Sequence, residues 1–310
     1  FEAIHEKKLS LKDPIKLSEK ALALNDIEGA GTLPMEANQY TVEQLLTALL
    51  IGNSSTAALA LAEKVGGSEK SFVEKMKQKL SEWGIQSPHL INATGLNTQT
   101  ISGDPDGKGD ENQLSAYDIA VIAKHLLQDF PEVTKYTSKP TALFSNTQIE
   151  NPNLMLEGMP NYRSGVDGLR VSNSTKGGIT FAASTTQNGI HMITVVLGVE
   201  AVDGDPYARF VATSSLMNYV VRTFVSSIVV KEGDPYGKSK ATVMDGKSET
   251  VLAVAKKDFY IVEKQGSQAE PKIQFKSNQE SFRAPVKSGT NLGKLHYTDP
   301  DKIGRGYLED

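Results

Sequence analysis

Cysteine is missing from all 310 residues, which excludes disulfide scaffolds, thiolate zinc sites and cysteine nucleophiles. The compartment stays open, although exported proteins of organisms that make few disulfides share this composition. No stretch approaches the ~18 consecutive apolar residues that span a bilayer, and no charged start, apolar run and small-residue cleavage site opens the chain. Neither sign of charge dominates: 33 Lys plus Arg oppose 37 Asp plus Glu, for a formal net charge of −4. A nucleic-acid partner would call for a basic excess, so none is expected. There is no GxGxxG, no P-loop and no GxSxG elbow, so nucleotide binding and the α/β-hydrolase arrangement lack a warrant. His5, His89, His125, His191 and His296 are scattered and form neither HExxH nor a short ligand pair. Asp104 to Asp110 imitates the start of a calcium loop, but Lys108 stands at its fifth position and Ser115 where the closing Glu belongs, so it reads as a solvated turn. Serine acylation without histidine needs a lysine one helical turn after the serine. No lysine here has a serine three positions earlier.

What is present is a chain long enough, at 39% hydrophobic residues, to bury roughly 75% of its unfolded surface. It opens with Phe1-Glu2-Ala3-Ile4, without Met, which reads as the last turn of an apolar helix and suggests a fragment or processed product. Amphipathic spacing predicts helices over Val42 to Leu50, Ser55 to Val65, Glu69 to Trp83 and Ser115 to Phe130. In the last, Ser115 with Asp118 makes a capping box and Pro131 follows the end. Trp83, on the helix carrying Phe72, Val73, Met76 and Leu80, is expected in the core. Gly178 to Ser184 and His191 to Val199 are β-rich runs joined through Asn188-Gly189, a strong hairpin signal, and supply the sheet these helices need. After Val225 the pattern turns to short β-rich runs: Ala241 to Met244, Thr250 to Ala255, Phe259 to Glu263, Lys272 to Lys276 and Gly293 to Tyr297. Such spacing without helices predicts a small all-β domain.

Several stretches together resemble a low-molecular-mass penicillin-binding protein, a serine D-Ala-D-Ala carboxypeptidase of the Gram-positive type. They include Gly31-Thr32-Leu33-Pro34-Met35, Tyr40-Thr41-Val42-Glu43-Gln44-Leu45-Leu46, Ala57 to Glu63, Asn92-Ala93-Thr94-Gly95-Leu96, Leu156-Glu157-Gly158-Met159-Pro160, Gly165-Val166-Asp167-Gly168-Leu169 and Pro206-Tyr207-Ala208-Arg209-Phe210. Order and spacing agree along essentially the whole chain. The resemblance implies an α+β penicillin-binding transpeptidase or β-lactamase-like domain, an antiparallel sheet with helices and a helical lobe, over residues 1–227. It implies a small all-β sandwich domain over 228–310.

The family's chemistry rests on SxxK, SxN and KTG. By the resemblance, SxxK lies upstream of Phe1, so the nucleophile and its lysine are outside this chain. The SxN positions fall on Asn53, Ser54 and Ser55, where serine and asparagine have traded places, and the KTG positions fall on Arg170, Val171 and Ser172. Arg170 retains a cation able to hold a carboxylate. Val171 has no hydroxyl to offer, a loss of about 1.5–3 kcal/mol where a charge is involved. Ser172 adds a Cβ where the family keeps glycine for close approach.

The resemblance therefore implies an exported envelope protein of a Gram-positive bacterium that has lost its acyl-enzyme chemistry. Its partners would be a peptidoglycan stem peptide or another cell-surface protein, with the membrane reached only through an anchor outside this chain. No cofactor or metal is implied. One alternative is an active serine-type D-Ala-D-Ala carboxypeptidase with SxxK on an upstream segment. The other is a structural or adhesive envelope protein on the same scaffold.

Overall fold

The computed structural model describes residues 1–29, 33–103, 108–174, 176–201, 204–268 and 272–300. Of the calcium-like run from Asp104 to Asp110, residues 104–107 lie outside them. Two compact units form, one from residues 1–187 and 191–217, the other from 188–190 and 218 onward.

The first unit begins with α1 (Glu2–His5), β1 (Pro14–Lys16), α2 (Glu19–Ala23), β2 (Gln39–Thr41) and α3 (Val42–Leu50). Thr41 opens α3 with a reciprocal capping box to Gln44. Leu45, Leu46 and Ala48 of α3 are buried with Ile51 in a core shared with Ala57, Ala60, Tyr136, Phe144 and Ile149. Full burial of one such leucine contributes about 1.5–3 kcal/mol. Next come α4 (Ser55–Gly66) and α5 (Glu69–Glu82). The buried face of α4 includes Ala57, Ala60 and Ala62, small side chains that allow the helix to lie close to its neighbours. Gly67 ends it at φ +77, the left-handed cap that only glycine adopts without strain.

Then follow α6 (Thr98–Ser102), α7 (Ala116–Asp129), α8 (Thr134–Thr137), β3 (Thr141–Phe144) and β4 (Thr147–Glu150). The Ser115/Asp118 box is present at the start of α7. The main sheet is β5 (Val166–Ser174), β6 (Gly178–Gln187) and β7 (Ile190–Val199), in the order β5-β6-β7. Its hairpin turn places Asn188 at φ +52 and Gly189 at φ +74, as the Asn-Gly signal requires. Leu169 and Ile193 of this sheet pack with Ala123 and Leu127 of α7, so helices and sheet share a core. Helix α9 (Ala208–Thr223) follows, and Phe210 on it meets Phe181 edge to face, with ring centroids 5.5 Å apart.

The second unit is all β beyond α9. It contains β8 (Phe224–Val230), β9 (Lys240–Met244), β10 (Thr250–Leu252), β11 (Phe259–Lys264), β12 (Lys272–Ser277), β13 (Phe282–Arg283) and β14 (Gly293–Thr298). They pair as β10-β9-β13, β11-β8 and β12-β14. The run expected over Thr250 to Ala255 is a strand only as far as Leu252.

Trp83 corrects its expectation. It is half-buried as the C-cap of α5, with its indole stacked on His125 at 4.3 Å and an interplanar angle of 5°. Helical periodicity marked the apolar face correctly through Val73 and Leu80, but the cap residue leaves that face where the helix ends.

Candidate functional site

The positions matching the two internal motifs sit on α3–α4 and on β5. Asn53 takes the left-handed conformation at φ +59 in the link, and its Oδ1 is buried without a partner. Ser54 is the N-cap of α4: its hydroxyl accepts from the backbone N–H of Ala57 at 3.2 Å and donates to Met35 Sδ at 3.3 Å. Only 1% of Ser54 is exposed, and Ser55 is buried as well. The Ser54 hydroxyl is thus turned into the helix start.

Arg170 lies on β5, which has β6 as its one neighbour in the sheet. Its Nη1 donates to the carbonyl of Leu49, in the last turn of α3, at 2.6 Å. That bond brings Arg170 to the turn that leads directly into residues 53 to 55. The guanidinium has no carboxylate within ion-pair distance among the described residues, and burial pushes its pKa down to about 10. A desolvated cation with one neutral acceptor can accept an anion with little further loss of hydration. Val171 is buried and offers nothing to a ligand, whereas Ser172 is exposed.

Arg209 holds this strand, and Glu111 and Asp110 hold Lys176 beyond its end. Arg209 on α9 is buried and donates through Nη1 to the carbonyls of Ser172 at 2.9 Å and Thr180 at 3.0 Å, and through Nη2 to Asn173 Oδ1. Burial lowers its pKa also. Glu111, 3% exposed, accepts from Asn97 Nδ2 at 2.8 Å and from the backbone N–H of Lys176 at 3.2 Å. Beside it, the exposed Asp110 meets His89 Nε2 at 2.7 Å and Lys176 Nζ at 3.5 Å. The hydrogen bond from His89, then the backbone N–H of Glu111, hold Asp110 below the usual carboxylate range. An arginine in a helix start and a glutamate before an apolar helix were the only sequence signals for these roles.

A cavity of about 730 Å³ lies elsewhere, bordered by Lys20, Glu63, Glu69, Lys70 and Lys77, and none of the six motif-matching residues lines it. Among the described residues, no group of three His, Asp or Glu side chains converges on a metal position, and no helix is long and apolar enough to cross a membrane.

The sheet with its helical cover and its edge strand bonded to the end of α3, together with a separate all-β unit, describe a penicillin-binding-protein architecture. Residues 1–201 match the D-alanyl-D-alanine carboxypeptidase family, and residues 224–306 match the C-terminal domain of penicillin-binding protein 5. The chain belongs to the D-alanyl-D-alanine carboxypeptidase family. It is similar to a peptidoglycan synthesis regulatory factor (PBP3) from Streptococcus pneumoniae, with 45% identity and a TM-score of 0.93 over 99% of this chain and 84% of that one. Penicillin-binding protein 5 from Haemophilus influenzae is similar at 25% identity and a TM-score of 0.71, over 97% of this chain and 82% of that one. The D-alanyl-D-alanine carboxypeptidase DacF of Bacillus subtilis is 26% identical over 303 residues, 95% of this chain and 71% of that protein.

Proposed function

We propose that this chain is a cell-envelope protein that binds the carboxylate end of a peptidoglycan stem peptide without forming an acyl-enzyme. The observation that carries the reading is Arg170, a largely desolvated cation on the edge strand with a single neutral acceptor, the carbonyl of Leu49. A C-terminal carboxylate would supply the missing charge, and its two oxygens suit a guanidinium fork. The absence of chemistry is supported by the neighbours. Ser54 spends its hydroxyl on a helix cap and a thioether, and Val171 has none. Loss of acid–base and oxyanion-type partners together lowers rates by several orders of magnitude.

Two measurements test the proposal. Fluorescent penicillin incubated with the full-length protein is expected to leave no covalent band on a denaturing gel. A pentapeptide ending in D-Ala-D-Ala is expected to bind, and to lose most of its affinity in Arg170→Gln. A stoichiometric penicillin band overturns the acyl-free reading and favours an active serine carboxypeptidase, the activity that the names of the relatives carry. Absence of peptide binding overturns the ligand and leaves a surface protein as the partner.

A further inference from the structure

The second unit carries a charged sheet face with no part in the site above. Strands β12 and β14 pair antiparallel, with Lys272 opposite Thr298, Gln274 opposite His296 and Lys276 opposite Lys294. Strict alternation turns Ile273, Phe275, Leu295 and Tyr297 to the less exposed side and leaves those six polar residues exposed. Neither strand contains Asp or Glu. Among the described residues none of the three lysines joins an ion pair, while Arg283 in the same unit is paired with Asp245 at 3.0 Å. The carboxylates nearest in sequence among the described residues, Glu280 and Asp299, lie outside both strands.

Lys276 and Lys294 repel each other directly across the pair, and like charges so placed destabilise a sheet. The cost is avoidable, since a glutamate at either position would convert repulsion to attraction. A strand pair that keeps these like charges presents them to solvent, where an anionic ligand would relieve the repulsion. Alternate residues on one face of a strand are about 6.7 Å apart, so cationic or donor side chains recur in three steps over about 13 Å. An extended chain of phosphodiesters can run along such a row, its phosphates meeting Lys272 at one end and Lys276 and Lys294 at the other. None of the six exposed residues is apolar, so nothing on the face would insert into a bilayer, which favours a soluble polymer over a lipid surface. The net charge of −4 on the whole chain gives a polyanion no general attraction, so binding has to come from a local face.

We propose that the exposed face of the β12–β14 strand pair binds a linear phosphodiester polyanion. The test uses the full chain and a fluorescein-labelled glycerol phosphate hexamer joined by phosphodiester links, read by anisotropy. With three phosphates neutralised, log K should fall with log salt at a slope of about −2, or about sixteenfold for a fourfold rise in salt. Lys276→Gln/Lys294→Gln should reduce the slope to about −0.7 and the fourfold-salt effect to about 2.5-fold. Lys256→Gln/Lys257→Gln, an equal loss of charge at exposed lysines outside the strand pair, should leave the binding curve as in the parent. Lys276→Glu should abolish binding and raise the melting temperature of the second unit, a combination that a purely structural lysine would not give. The proposal is overturned by no binding of the hexamer, or by equal losses in the two double variants. It is also overturned by tighter binding to vesicles of phosphatidylglycerol and phosphatidylcholine than to the hexamer, or by full competition from inorganic phosphate at equal phosphate concentration.

Discussion

Replacing Arg170 by methionine removes a cation that the fold keeps out of water while leaving a side chain of similar reach. The guanidinium titrates at about 10, and its distance from the ordinary arginine value corresponds to about 3 kcal/mol of lost hydration. Against this stands the charge-assisted hydrogen bond to the Leu49 carbonyl at 2.6 Å, worth about 1.5–3 kcal/mol. Arg170→Met is therefore expected to stabilise the first unit by about 1 kcal/mol, or roughly 2–4 °C by calorimetry. The same variant should lose affinity for carboxylate-terminated peptide in a parallel titration. A pH signature accompanies it. The folded pKa lies below the unfolded one, so the unfolded chain holds the extra proton from about pH 10 upward, and stability rises with pH there. The methionine variant lacks that rise. Destabilisation by 3 kcal/mol or more would refute the reasoning, because Arg170 would then be a strut of the fold and not a cation held for a ligand.

Ser54→Ala should destabilise by about 1–2 kcal/mol in urea unfolding, through loss of the α4 cap and of the buried contact with Met35. The chain has one tryptophan, so the stack of Trp83 on His125 has its own spectroscopic readout. His125→Ala removes the stacked ring and should move the emission maximum to longer wavelength as the indole meets water, whereas an unchanged spectrum would contradict the stack. Asp110 is held below the usual carboxylate range, so its links to His89 and Lys176 persist above the unfolded pKa and are lost as pH falls through the folded one. Exchange of the Glu111 amide, which donates to Asp110 Oδ1 at 2.9 Å, should accelerate in that acid window. Protection unchanged at low pH would contradict the assignment.

Much of the fold was legible because its signals are local. The helices over 42–50, 55–65, 69–83 and 115–130 follow apolar spacing, and the cap at Ser115 lies where short-range chemistry puts it. Asn188-Gly189 fixed its hairpin for the same reason. Short strands such as β1, β3 and β13 carry too few residues for alternation to register. At the site, the sequence supplied residue identities but not their surroundings. Nothing local to Arg170 foretells that it ends on a carbonyl 121 positions away, nor that Ser54 faces a methionine. Trp83 shows the converse error, in which a correct period was carried one residue too far.

The single carboxylate of Glu111 grips both the Asn97 side chain and the main chain of Lys176. A loop of the helical lobe and the bend between β5 and β6 are thereby joined at one buried point. Loosening either segment breaks a buried hydrogen bond to the same carboxylate, so the two should open as one cooperative piece, with matched opening rates.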